Sequence, residues 1–236
     1  MTNATTLSVQ EFEATLHDAV MQYSMLKHPF YVAWTEGKLT KPVLAEYAKQ
    51  YYAHVRAFPT YVSAVHSRCD DIATRQELLE NLIEEERGPE NHPELWLRFA
   101  ESVGASRDEV KKAELLPSTR ASVARMKELT QSTDYRDGLA ALYAYETQIP
   151  NVACTKREGL KSFYGIDDER AVSFFRVHEG IDVLHQRVEQ EILSKTCTSG
   201  NEQQQVIESS RQAAQALLGF LDGVMEAYLP EAAAAV

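Results

Sequence analysis

Apolar residues recur every three or four positions along almost the whole chain, which is the pattern of amphipathic helices. No segment alternates apolar and polar residues between hairpin turns, and glycine and proline are scarce, at 10 and 8 residues. The pattern therefore predicts an all-α fold of seven or eight helices. We predict helices near residues 8–27, 40–67, 70–87, 92–104, 117–131, 134–163, 168–196 and 201–228.

Several of these helices begin at residues that suit an N-cap. Thr40 precedes Lys41 and a proline, and the pairs Ser106/Glu109 and Asn91/Glu94 have the spacing of capping boxes. Prolines inside two of the segments, at positions 59 and 150, predict bends, because proline removes a backbone donor and crowds the preceding turn.

Composition narrows the function classes. The 236 residues, 44% of them hydrophobic, suit one domain over residues 1–236, with 229–236 as a frayed tail. The net charge of −11 and the lack of a basic run argue against nucleic acid and anionic membranes as partners. The first residues lack the basic and apolar blocks of a secretory signal, so we expect a cytoplasmic protein. Its three scattered cysteines, Cys69, Cys154 and Cys197, are interpreted as reduced thiols.

The most informative group is formed by His178, Asp182 and His185. At spacings of i, i+4 and i+7 they fall within an arc of roughly 60° on one helix face. Apolar residues above and below them, among them Phe174 and Val188, assign this face to the core. Buried polar groups need partners, and a metal ion would satisfy all three.

A second buried charge is predicted at Glu146, the only charged residue in LAALYAYETQIP at positions 139–150. Helical spacing places it on the apolar face with Leu142 and Ile149. A metal ligand and a buried salt bridge or protonated acid are equally good interpretations of this residue taken alone.

A third group lies at the end of a predicted helix, where Glu84–Glu86 are followed by Pro89 and then His92. Pro89 cannot donate to the carbonyl of Glu85, so the helix should stop or kink and let His92 fold back toward the glutamates. Spacing leaves both Glu85 and Glu86 open as the ligand. A solvated helix end is the commoner fate of such a run.

Three carboxylates and three histidines on separate helices suit two five- or six-coordinate redox metals better than one zinc ion, which usually takes four ligands. Helical bundles build dinuclear sites in a related way, although their usual Glu-x-x-His motif is missing here. The other histidines, His17, His28, His54 and His66, have no carboxylate at ligand spacing, and we interpret them as packing or surface residues.

In these segments the chain resembles the CADD and CADD-like proteins, which share the heme-oxygenase-like fold of the TENA/PqqC type. The resemblance covers nearly the whole chain. It rests on HPFYVAW at 28–34, YAKQYYAHVRAFPTYVSAVHSRCDD at 47–71, NLIEEERGPENHPELW at 81–96, LAALYAYETQIP at 139–150 and HEGIDVLHQR at 178–187.

The resemblance implies a seven-helix bundle, usually a homodimer, with an iron/iron or iron/manganese centre that uses dioxygen and an external reductant. The ligands it implies are Glu85, His92, Glu146, His178, Asp182 and His185. It thus favours Glu85 over Glu86.

The resemblance also implies a reaction. CADD-like proteins are associated with making p-aminobenzoate for folate from a tyrosine of their own chain, and the matching tyrosine is Tyr31. Lys156 matches the lysine implicated as amino donor, and Tyr47 and Tyr145 match tyrosines that are candidates for radical relay. An amine nucleophile must be deprotonated, so we expect Lys156 to be partly desolvated, with a lowered pKa.

Most other tyrosines, including Tyr51, Tyr52 and Tyr61, are interpreted as aromatic core packing. Two alternative functions remain: a dimetal oxygenase acting on an external small molecule, and a partner-binding protein of the death-domain-associating type. Multiple turnovers on an added molecule would favour the first. Partner binding that survives loss of His178 and His185, without oxidation chemistry, would favour the second.

Overall fold

The computed structural model describes residues 4–229, which form eleven α-helices and no strand. The predicted all-α class is confirmed. The helices are α1 (Val9–Met21), α2 (Pro29–Thr35), α3 (Lys41–Arg68), α4 (Ile72–Glu86), α5 (His92–Ser102), α6 (Arg107–Lys112), α7 (Pro117–Thr130), α8 (Tyr135–Glu146), α9 (Ile149–Tyr164), α10 (Glu169–Thr196) and α11 (Gly200–Tyr228). Of the predicted tail, 229–236, only Leu229 is among the described residues.

Three helices, α3, α8 and α10, form the centre of the bundle. Helix α3 packs against α4, α5, α7 and α8, while α10 packs against α5, α8 and α9. Helix α11 covers α7 and α8 on the other side, and α1 packs on α11. The residues buried among these helices form one continuous hydrophobic core, within which the candidate site lies.

The number of helices exceeds the predicted seven or eight because helices end at places where periodicity alone predicts that they continue. The predicted helix 8–27 ends at Met21, and a short 3-10 turn, Met25–Lys27, follows. Helix α2 is a new element whose first residue is Pro29. The residue before a proline is held extended, and the His28 ring caps the new helix by accepting a hydrogen bond from the Phe30 amide at 3.1 Å.

The predicted helix 134–163 is likewise two helices, broken at Thr147 and Gln148. Pro150 leaves the carbonyl of Glu146 without its usual donor. The side chain of Gln148 holds the break in place, since its Oε1 accepts a hydrogen bond from the Met25 amide at 2.7 Å. By contrast, α3 continues through Pro59 as one helix.

Capping signals were better guides than helix lengths. Ser106 and Glu109 form a complete capping box and start α6, a helix missing from the predicted set. Asn91 caps α5 by accepting from the Glu94 amide, but Glu94 turns to Arg98 and Arg107 instead of closing the box.

The corner between α4 and α5 follows the prediction. Helix α4 ends at Glu86, Gly88 takes a left-handed conformation with φ of 81°, and α5 begins at His92. His92 therefore faces back toward the end of α4.

All three cysteines are free, as predicted. None of the helices within residues 4–229 has the length and apolar character needed to cross a membrane.

Gly138 lets α8 approach its neighbours closely. A Cβ at this position would lie 2.6 Å from Cγ2 of Val65 on α3 and 3.0 Å from Cα of Thr130 at the end of α7. Both distances are too short for an ordinary contact, so the spacing of these helices depends on the missing side chain. Helix α8 ends at Glu146, so the position of this candidate ligand depends on the same packing.

We predict that Gly138→Ala destabilises the protein by roughly 1–3 kcal/mol, because overpacking outweighs the better helix propensity of alanine. The control is Gly219→Ala in α11, where the added methyl group meets no atom within 4 Å and should stabilise by up to about 1 kcal/mol. Urea unfolding of both variants measures the difference. A Gly138→Ala protein as stable as the wild type would contradict this account of the packing.

Candidate metal centre

The six residues predicted as metal ligands lie together in two clusters, and all of them are buried except His185, which is partly exposed. Glu85 from α4, His92 from α5 and His178 from α10 form the first cluster, and each offers a ligand atom within 4.8 Å of the others. Glu146, Asp182 and His185 form the second cluster under the same limit. Helix α10 thus contributes to both clusters: the face predicted from spacing carries all three residues, but His178 belongs to the first cluster and Asp182 and His185 to the second. Their role as ligands stays a prediction.

In the first cluster, the side chains already converge. Nδ1 of His92 lies 2.8 Å from Oε1 of Glu85, and the rings of His92 and His178 are 4.4 Å apart between centroids. Nδ1 of His178 donates to the Phe174 carbonyl at 2.6 Å, which leaves its Nε2 as the atom with a free lone pair. Glu85 is buried and Glu86 is exposed, which favours Glu85 as the residue in the site.

In the second cluster, Glu146 is fixed by a neighbour on α4. Asn81 Nδ2 donates to Oε1 of Glu146 at 2.9 Å, and Nδ1 of His185 lies 3.4 Å from the same oxygen. The second ring nitrogen of His185, Nε2, lies 2.8 Å from Oε2 of Glu84. Oε2 of Glu146 is buried and has no hydrogen-bond partner within residues 4–229.

The electrostatics of these clusters call for positive charge. Burial, together with the neighbouring Glu146 and Glu85, raises the pKa of Asp182 well above its usual range. Burial, reinforced by His92, lowers the pKa of His178 well below its usual range. Burial opposes protonation of His185, but the Glu146 and Glu84 carboxylates outweigh it and raise the pKa.

These observations fit a pair of metal ions. Buried polar atoms without partners and crowded carboxylates are costly for a protein alone, and divalent cations would compensate them. A donor set of imidazoles and carboxylates, with no thiolate, suits first-row redox metals such as iron and manganese.

Four tyrosines connect the clusters to α2. Tyr145 and Tyr51 line the cavity between the clusters, and their hydroxyl oxygens are 2.5 Å apart. The Tyr51 ring stacks on Tyr47 at a centroid distance of 5.5 Å. The hydroxyl of Tyr47 then lies 3.3 Å from that of Tyr31, which is fully buried in α2.

Lys156 lies among the same rings. Its side chain is only 2% exposed, and its Nζ is 4.6 Å from the ring centroid of Tyr51, 5.1 Å from that of Tyr47 and 5.6 Å from that of Tyr31. Burial lowers the pKa of Lys156 well below its ordinary value. The desolvation expected of this residue is therefore observed, and its chemical role stays a prediction.

Sequence reasoning missed two residues of this region. Tyr51 was assigned to ordinary packing, yet it lies between Tyr47 and Tyr145 and beside Lys156. Glu189 was overlooked, although it continues the face of His178, Asp182 and His185 by one further turn and is buried. A charged residue on an apolar stripe was the available signal for Glu189; Tyr51 had no such signal.

The remaining histidines are not in the clusters. His28 caps α2, and its Nε2 lies 3.0 Å from Asp222. His54 is buried against Tyr51 and Phe220, and burial lowers its pKa to about 4. His17 is exposed and His66 half-buried, in keeping with packing or surface roles.

The cavity enclosed by the clusters is small. Its volume is about 20 Å³, which holds roughly one water-sized molecule. Pockets for organic ligands are much larger, typically about 300–1,000 Å³.

Comparison with known proteins identifies the class. A crystal structure of a CADD-like protein of unknown function from Nostoc punctiforme superposes with a TM-score of 0.77, at 16% sequence identity and over 93% of this chain and 97% of that one. A family model described as iron-containing redox enzyme matches residues 45–218. Fold and site thus define an oxidoreductase with a heme-oxygenase-like fold.

The chain belongs to this family of iron-containing redox enzymes. It is 40% identical over 231 residues to the 4-aminobenzoate synthase of Nitrosomonas europaea, with 94% of each chain covered. It is 42% identical over 210 residues to the 4-aminobenzoate synthase of Chlamydia muridarum, covering 89% of this chain and 88% of that protein. The resemblance inferred from the sequence motifs is confirmed.

The burial of Lys156 predicts a specific pH dependence of stability. An unfolded lysine has a pKa of about 10.4, whereas the folded one has a lowered pKa, so the unfolded chain binds more protons between the two values. The penalty is largest at low pH and disappears as the pH rises to about 10.4. We therefore predict that Lys156→Met raises the free energy of unfolding at pH 7 by about 1 kcal/mol or more.

Urea unfolding of the metal-free protein between pH 7 and 9.5 checks this, and the gain should shrink as pH rises. Lys161→Met, at an exposed position of the same helix, is the control and should change little. A Lys156→Met protein that is destabilised by the same amount at every pH would rule out the neutral, desolvated lysine.

Proposed function

We propose that this protein is an oxygen-dependent dinuclear-metal oxidase that makes p-aminobenzoate for folate biosynthesis from the ring of its own Tyr31, with about one turnover per chain. The observation that carries the proposal is the continuous series of phenols from the ligand clusters to Tyr31. The 4-aminobenzoate synthases that are 40–42% identical to the chain support the product.

On this proposal, Glu85, His92 and His178 hold one metal ion, and Glu146, Asp182 and His185 hold the other. Two iron ions, or one iron and one manganese, would supply the oxidising chemistry when loaded with dioxygen and an external reductant. The protein surrounds this centre with apolar and aromatic side chains, which exclude water from the reacting groups.

The tyrosines keep their protons until they are oxidised. Burial, with the nearby Tyr51, raises the pKa of Tyr31 well above its ordinary value, and burial likewise raises that of Tyr145. Each phenol therefore loses its proton together with an electron. At each end of the series the neighbouring tyrosine, once it has itself lost a proton and an electron, can take up both from the next phenol, which restores its own hydroxyl. Tyr31 can in this way be oxidised although it does not line the metal cavity.

Lys156 supplies the nitrogen on this proposal: its Nζ–Cε bond breaks, and a C–N bond forms at the ring carbon of Tyr31 that loses its hydroxyl oxygen. Dioxygen and the external reductant balance the electrons of this exchange and of the cleavage that frees the ring. A neutral amine is a nucleophile, and burial lowers the pKa of Lys156 and so favours its neutral form. The proximity of Nζ to the ring centroids of Tyr31, at 5.6 Å, and Tyr47, at 5.1 Å, supports this role.

The size of the cavity favours an internal substrate over an external one. A volume of about 20 Å³ accommodates a dioxygen-sized molecule, but not a second aromatic ring. Tyr31, in contrast, already lies within the core.

We predict that Tyr31→Phe abolishes p-aminobenzoate formation. The test incubates protein labelled with ring-¹³C tyrosine with iron, manganese, reductant and air, then measures labelled product and the mass of the intact chain. The wild type should release labelled product and lose mass at Tyr31. Tyr61→Phe, which removes a buried phenol hydrogen-bonded only to a backbone carbonyl, is the control. Labelled product from the Tyr31→Phe protein would exclude Tyr31 as the obligatory source.

We also predict that Tyr51→Phe slows product formation by roughly 10²-fold, since it removes a hydroxyl that can relay a proton while keeping the ring. Metal binding should be unchanged. The control, Tyr52→Phe, alters the adjacent residue of α3, which takes no part in the series. Single-turnover rates of the three proteins measure the effect, and equal rates would remove Tyr51 from the relay.

A further inference from the structure

Glu189 is a buried carboxylate that the proposed centre leaves unexplained. It lies on α10, one turn beyond His185, and is 3% exposed. No donor group in the described part of the chain reaches either carboxylate oxygen, and the neighbour within hydrogen-bonding reach is another carboxylate, that of Glu146. Such a group is costly to bury unless it is neutral or paired with a cation.

Among the described residues, the cavity that Glu189 lines has no basic side chain other than His185. Glu189 lines a cavity of about 70 Å³ next to the second cluster, and the residues around this cavity include no lysine or arginine among those described. Its polar lining consists of His185, Asn81 and the carboxylates of Glu77, Glu80, Glu84 and Glu189. On the inner side, burial and the carboxylates of Glu146 and Asp182 raise the pKa of Glu189 well above its usual range.

Position and chemistry together suggest a role. Glu189 lies between the second cluster and an acidic cavity, on the same helix face as two residues of that cluster. A cation held by Glu146, Asp182 and His185 would compensate the charge of Glu189 as well. The three-residue cluster does not include Glu189 in this arrangement, so its carboxylate must move toward the ion on binding.

We propose that Glu189 is a fourth ligand of the metal ion held by Glu146, Asp182 and His185, an inference that rests on the proposed dinuclear centre. The two halves then differ in chemistry. The first has two imidazoles and one carboxylate, whereas the second has one imidazole and three carboxylates. Because oxygen donors suit manganese and imidazoles suit iron, manganese in a mixed centre occupies the second half.

The test measures metal binding without the reaction. Metal-free wild-type, Glu189→Gln and Glu191→Gln proteins are titrated with Mn²⁺ under oxygen-free conditions, and unbound Mn²⁺ is followed by electron paramagnetic resonance. The wild type should bind two equivalents. Glu189→Gln should bind one as before and the other at least about tenfold more weakly. Glu191 is on the same helix but exposed, so Glu191→Gln should match the wild type.

Two equivalents bound by Glu189→Gln with wild-type affinity would overturn the assignment of Glu189 and leave the proposed function intact. A wild type that binds no Mn²⁺ or Fe²⁺ would instead overturn both. Circular dichroism shows whether the Gln variant folds. If it does not, anomalous diffraction from manganese-soaked wild-type crystals decides: an oxygen of Glu189 about 2.0–2.6 Å from the ion supports ligation, and a longer separation refutes it.

Discussion

The burial of acidic side chains is the constraint on which this structure depends. Glu85, Glu146, Asp182 and Glu189 lie inside a helical bundle at places where periodicity predicts apolar residues. Burial, together with repulsion from Glu146 and Glu85, raises the pKa of Asp182. The bundle tolerates this arrangement because four helices, α4, α5, α8 and α10, bring the carboxylates close to three histidines, which gives cations a place to neutralise them.

The aromatic residues around Lys156 give the other part of the site a different electrostatic environment. Phenols, indoles and Lys156 fill the space between α2, α3, α5 and α9, and no carboxylate within residues 4–229 forms an ion pair with the amine. Burial lowers the pKa of the lysine and so disfavours its charge, whereas the crowding of carboxylates on the other side calls for cations. The same core thus contains carboxylate clusters that favour positive charge and, beside them, the aromatic surroundings of Lys156, where burial disfavours the charged amine.

The sequence was most informative where a single helix or a single proline determines geometry. His178, Asp182 and His185 share a helix, so their common face follows from spacing alone, and Pro89 marks the corner that brings His92 to Glu85. Glu146 was recognisable as the one charge in an apolar segment. Tyr51 could not be distinguished from packing tyrosines, because its neighbours Tyr145 and Lys156 come from other helices whose packing the sequence pattern does not specify. Helix α2, only 7 residues long, was too short for its periodicity to be seen.

The close seating of α2 on α9 has a kinetic consequence. Trp34 donates its indole N–H to the Lys156 carbonyl at 3.2 Å, and a Cβ on Gly159 would collide with that indole. The two helices are therefore in close contact at this point. On the proposed chemistry, a ring cleaved from Tyr31 is enclosed until this contact separates. Release is then governed by local opening of the fold. A substitution that strengthens the contact between α2 and α9 would lengthen the residence time of the product, even if it left every reacting group in place.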